Sequence, residues 1–112
     1  MLNSRTPDKH DIAVCSDVRE MGNPYIVAPG RLLAREGDEV VFRNHSGVPM
    51  VIKFPRGNTP FDVAEFTVAI NDLVRVTVAP GTPPGGYPYH IYCGAATETA
   101  RGSLPIIIII HG

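Results

Sequence analysis

Six side chains in this 112-residue chain could hold a soft metal ion or attack an electrophile. They are the thiols of Cys15 and Cys93 and the imidazoles of His10, His45, His90 and His111. Thiolates are both nucleophiles and metal ligands, and neutral imidazole is the commonest nitrogen ligand. Cys93 closes a run, Gly86-Tyr87-Pro88-Tyr89-His90-Ile91-Tyr92-Cys93, that reads as a strand. Strand alternation puts Tyr87, Tyr89, Ile91 and Cys93 on one face and His90 and Tyr92 on the other. With the first face in the core, His90 points to solvent and cannot act as a base for Cys93. Nucleophilic catalysis needs such a base, so no enzyme is expected. His111 lies beyond the last strand, about 25 Å from Cys93 at ~3.3 Å per residue, so only a neighbouring chain could bring it back. His10 falls in the first strand, where nothing in the sequence fixes its neighbours. Cys15 and Cys93 could pair in an oxidising compartment or stay as thiols in the cytosol, and their spacing does not decide between the two.

The elements that must position these groups are short strands. Residues 10–15, 31–35 and 40–43 read as strands, with Tyr25 to Ala28 a short apolar piece between the turn dipeptides Asn23-Pro24 and Pro29-Gly30. Residues 50–54 follow a Gly47 turn, and residues 55–60 form a Pro- and Gly-containing loop. Residues 65–70 and 73–78 flank an Asn71-Asp72 turn, and Val74, Val76 and Val78 share a face. Residues 87–93 and 103–110 complete the set. The chain therefore predicts an all-β fold, an antiparallel Greek-key sandwich or barrel.

Size and charge narrow the function classes. The length suits one domain with one core, taken as residues 10–112 behind a tail of residues 1–9. A net charge of −1 with interspersed signs argues against a nucleic-acid surface. No segment reaches the ~18 apolar residues of a membrane span. The 11 glycines and 11 prolines sit between apolar runs, which favours turns over disorder.

Two stretches carry a family resemblance. Gly37-Asp38-Glu39-Val40-Val41-Phe42-Arg43-Asn44 runs into His45-Ser46-Gly47-Val48-Pro49-Met50, and the run ending at Cys93 precedes Gly102-Ser103-Leu104. In order and spacing they resemble the cupredoxins, the plastocyanin-like family of small blue-copper proteins, over roughly residues 25–110. The resemblance implies a copper site of one cysteine thiolate, two imidazoles and an axial thioether. Cys93 matches the thiolate. Met50 stands where the first imidazole is expected, after Val48-Pro49. The residues after Cys93, Gly94-Ala95-Ala96-Thr97-Glu98-Thr99-Ala100, contain neither histidine nor methionine.

The resemblance also places His45 at the same end of the sandwich as Met50 and Cys93. These three could form a soft site, whose thiolate and thioether favour cuprous copper. The plainer alternative takes Met50 as a core gap-filler, Cys93 as a small buried hydrophobe and His45 as a loop residue. The leading expectation is a domain with no cofactor that serves as a binding or accessory module for an unidentified protein partner. A copper protein with non-standard ligands, for electron transfer or cuprous-ion carriage, is the second. Glu98 and Arg101, in the loop where the family keeps its copper ligands, are taken as solvated charges.

The start, Met1-Leu2-Asn3-Ser4-Arg5-Thr6, has no apolar leader. The resemblance implies export, so a removed leader and a periplasmic or extracellular location are preferred to the cytoplasm. The run Ile106-Ile107-Ile108-Ile109-Ile110 cannot alternate, so both its faces must avoid water. One face belongs to the core. The other calls for a cover, either a loop such as residues 58–64 or a second copy of the chain in a homodimer.

Overall fold

A computed structural model describes residues 6–16, 25–94 and 105–111. Ten strands follow one another in these residues: β1 Lys9–Ser16, β2 Tyr25–Ala28, β3 Arg31–Arg35, β4 Glu39–His45, β5 Met50–Lys53, β6 Glu65–Val68, β7 Leu73–Thr77, β8 Gly85–Pro88, β9 His90–Cys93 and β10 Ile106–Ile110. No helix of the structure is long and apolar enough to cross a membrane.

One layer is a four-stranded sheet in the order β2-β1-β4-β7. The other is built from two three-stranded sheets, β3-β10-β8 and β6-β5-β9. Expected as one strand, residues 87–93 divide at Tyr89. Pro88 has no N–H to give a ladder, and the Tyr89 N–H donates to the Pro105 carbonyl (3.0 Å). The chain thereby leaves β10 and joins β5 without changing which face is buried: Tyr87, Tyr89, Ile91 and Cys93 are all in the core. The pairing is not wholly antiparallel. β1 runs parallel to β4, and β10 parallel to β3. Parallel neighbours need a crossover between them, which local turn signals do not report.

Between the layers lies a core centred on Phe42, whose ring meets Phe61, Phe66 and Tyr89 edge-on at centroid separations of 6.2, 5.3 and 5.8 Å. Such edge-to-face pairs add about 0.5–1.5 kcal/mol each beyond burial. Phe61 is drawn into the core against Phe42 and Phe54, and with Asp62 and Val63 it lines a cleft beside Arg75, Val76 and Thr77 of β7.

β10 sits between β3 and β8, with Ile107 and Ile109 in the core. On the outer face Ile106, Ile108 and Ile110 are half-buried, and their neighbour Leu33 is 53% exposed. Gly86 makes room for part of this face. A Cβ there would come within 2.9 Å of Ile106 Cδ1.

Candidate functional site

The loop between β4 and β5 is held by a single buried amide. Asn44 is fully buried, and its Nδ2 donates to the carbonyls of Val48 (2.7 Å), Val68 (3.0 Å) and Ala69 (3.2 Å). Its Oδ1 accepts from the Ser46 backbone N–H (2.9 Å) and the Ser46 hydroxyl (2.6 Å). The Asn44 backbone N–H reaches the Asp72 carbonyl (2.9 Å), at the turn where Asn71 adopts the left-handed region (φ 58°). Asparagine tolerates that region better than other non-glycine residues. The amide thus ties β4, β6 and the residue 45–49 loop into one frame.

That frame delivers Met50 to Cys93. The two are directly opposite in the antiparallel β5–β9 pair. Met50 is fully buried and Cys93 is 3% exposed. The Gly94 N–H donates to the Pro49 carbonyl (2.6 Å), and Gly94 turns the chain away with φ 63°. Burial pushes the Cys93 thiol above its ordinary pKa, partly offset by a hydrogen bond with Ser46, so at neutral pH it keeps its proton. This thiol suits a soft ion, which can displace the proton, better than it suits nucleophilic attack.

Each of the four histidines lies elsewhere. His45 ends β4 on the face opposite Asn44, exposed, and stands in register with Cys15 rather than beside Cys93. His90 shares the outer face of β9 with Tyr92, on which it stacks at 6.2 Å; its Nδ1 is buried with no partner among the described residues. The outward assignment of His90 therefore holds, although the ring is half-buried. His111 is exposed at the far end of β10, beside Glu36 and residues 81–84. Of the three candidate metal residues, Cys93 and Met50 are brought together and His45 is not. A trigonal blue-copper plane needs two imidazoles beside the thiolate, and this donor set does not fit it. Both cysteines are free thiols. Glu98 and Arg101 lie outside the described residues.

His10, unplaced by sequence, belongs to a clasp at the opposite pole. Asp38 is 1% exposed; its Oδ1 accepts from the Asp8 N–H (3.0 Å), and its Oδ2 accepts from the Arg35 N–H (2.9 Å) and lies 2.9 Å from His10 Nε2. Among the described residues, Asp8, His10 and Asp38 are the one group of three His, Cys, Asp or Glu donors close enough to share an ion. Three donors already aim at the Asp38 carboxylate, so the arrangement reads as a structural tie between β1, β3 and β4. The signal for Asp38 was in the sequence, in the turn Glu36-Gly37-Asp38 before a strand. Only the parallel β1–β4 pairing brings His10 to it.

No protein-family model matches the chain, and no curated protein matches it in sequence. Solved structures do match in fold. A purple cupredoxin from Nitrosopumilus maritimus aligns with 90% of this chain and 99% of its own at a TM-score of 0.60 and 15% identity. An amicyanin mutant in the Cu(I) state aligns with 96% of this chain and 85% of its own (TM-score 0.55, 16% identity). A mutant fern plastocyanin aligns with 89% and 99% (TM-score 0.53, 17% identity). The chain also matches 30% of a multi-copper oxidase from Pseudomonas thermotolerans (TM-score 0.62, 17% identity). The fold is therefore that of a cupredoxin-like β-sandwich. At these identities the likeness establishes architecture, and function has to be argued from the site.

Proposed function

We propose that this chain is a cupredoxin-like domain whose copper site has degenerated, acting as a non-catalytic, metal-free binding or accessory module in an exported compartment. The observation that carries this reading is the Met50–Cys93 pair. A buried thioether faces the buried thiol, while His45, the histidine closest in sequence, stands on the outside of the other layer. Among the described residues, the residue 45–49 loop and the β5–β9 pair bring Met50 to Cys93, and none of the four imidazoles stands beside them.

A second reading rests on the same pair. Two sulfurs at the end of a sandwich form a soft donor set that prefers cuprous copper, which points to cuprous-ion carriage. Metal analysis of the purified protein and titration of the reduced protein with cupric ion test both. The first reading expects no copper held through Met50 and Cys93 and no intense thiolate-to-copper band near about 600 nm. An intense band there refutes the loss of the blue site. Cuprous binding that is lost in Met50→Ala and Cys93→Ser replaces the first reading with the second.

A further inference from the structure

The pairing that removes His45 from Cys93 gives it another thiol. In the parallel β1–β4 ladder, Cys15 and His45 are the last partners in register. Their side chains share a face. On β1, Ile12 and Val14 are buried, leaving Asp11, Ala13 and Cys15 on the outside. On β4, Phe42 and Asn44 face the core, leaving Val41, Arg43 and His45 on the other face, where Val41 is buried, Arg43 half-buried and His45 exposed. A direct contact confirms the alignment: Arg43 Nε donates to Asp11 Oδ1 at 2.9 Å across the same two strands. Adjacent strands lie about 4.8 Å apart, so in-register side chains on one face are neighbours. Cys15 is half-buried and His45 exposed, so an ion can reach both.

We propose that Cys15 and His45 form a surface site for a soft monovalent ion of the cuprous class, separate from the Cys93–Met50 pair. The ion class follows from the donors and their surroundings. Zinc in a structural site takes four ligands, and among the described residues this end of the face offers two. A thiolate and an imidazole match the preferences of cuprous copper, which also accepts low coordination. The thiol gives up its proton to solvent as the ion binds. Thiolate, neutral imidazole and a monovalent cation then sum to zero charge on a half-buried face. The flanking groups agree. Cys15 is opposite Ile26 in β2, an apolar neighbour that is 41% exposed. The nearest cation on this face among the described residues, Arg43, is already paired with Asp11. The site lies outside the sandwich, whereas Cys93 lies inside it. An ion held at Cys15 is therefore open to exchange with a partner.

The test is an anaerobic titration of the full chain with cuprous ion against a chromogenic chelator. Cys93→Ser serves as the parent, so that the interior pair cannot contribute. The parent should bind the ion, release one proton per ion and shift the His45 ring resonances. Adding Cys15→Ser should abolish this binding. Adding His45→Ala should weaken it about tenfold or more, since even an outer-shell partner of a metal ligand is worth that much. If the parent is unfolded by circular dichroism, Cys15→Ser and His45→Ala in the wild-type chain decide, read by the same ring resonances. The proposal is overturned if His45→Ala leaves affinity unchanged, if the His45 ring does not respond, or if a folded Cys93→Ser chain binds no ion. None of these results depends on whether cupric ion forms a blue site at Cys93.

Discussion

Replacing Asn44 with alanine should loosen the one loop on which the Cys93 site depends. The side chain satisfies the Val48 and Val68 carbonyls through Nδ2, and the Ser46 N–H and hydroxyl through Oδ1. Each bond contributes about 1 kcal/mol net, so four give about 4 kcal/mol. Part is recovered. The Ser46 hydroxyl can turn to the Val48 carbonyl, 3.0 Å away, and Val48 is only half-buried, so water can replace a lost donor there. A loss of about 2–3 kcal/mol in urea unfolding is expected. The loop should open before the sandwich unfolds, because the strands keep their ladders. In a Cys15→Ser background the reaction of Cys93 with a thiol reagent should therefore accelerate by more than the global destabilisation accounts for. Asn44→Asp should be worse than Asn44→Ala, since a carboxylate would face the Val48, Val68 and Ala69 carbonyls. A loss below about 1 kcal/mol in Asn44→Ala, with Cys93 still protected, would refute the claim that this amide holds the loop.

Asp38→Asn should cost about 3 kcal/mol, because a buried carboxylate serving three donors loses its charge-assisted bonds; a chemical-denaturation curve unchanged from wild type would show that the clasp is not structural. Tyr89→Phe should be neutral or stabilising by up to about 1 kcal/mol, since the buried Tyr89 hydroxyl has no partner among the described residues. The buried Cys93 and Tyr89 both have raised pKa values and stay protonated in the native state. Their contribution to stability should hold below the ordinary thiol value of 9.0 and fall above it, then more steeply past the ordinary tyrosine value of 10.0. Unfolding curves from pH 7 to 11 should show this fall, reduced in Cys93→Ser and in Tyr89→Phe. Ile107→Thr with Ile109→Thr should unfold the domain, while threonine at Ile106, Ile108 and Ile110 should leave it folded; if β10 joins a second copy, the latter set should also change the sedimentation coefficient.

Much of the architecture could be read along the chain, because strand alternation is a local property. A period of two placed Tyr87, Tyr89, Ile91 and Cys93 on a buried face, and the structure keeps all four there even though the strand breaks at Tyr89. The isoleucine run likewise marked β10 as a strand with one face in the core, and Ile107 and Ile109 are buried there. The cupredoxin-like fold was likewise visible in the order and spacing of two motifs.

Which chemical groups meet was a different matter. The parallel β1–β4 pairing joins residues about thirty positions apart, and no turn between them encodes the register. That register sends His10 to Asp38 at one end of the ladder and His45 to Cys15 at the other. His45 sits only five residues before Met50 in sequence, yet strand parity turns it to the opposite face from Asn44 and the core. Residue type and spacing along the chain were enough to mark Cys93 as a buried thiol and Met50 as its neighbour-to-be. Only the pairing of β5 with β9, and of β4 with β1 in the other layer, decided that a thioether, and no imidazole, would stand beside it.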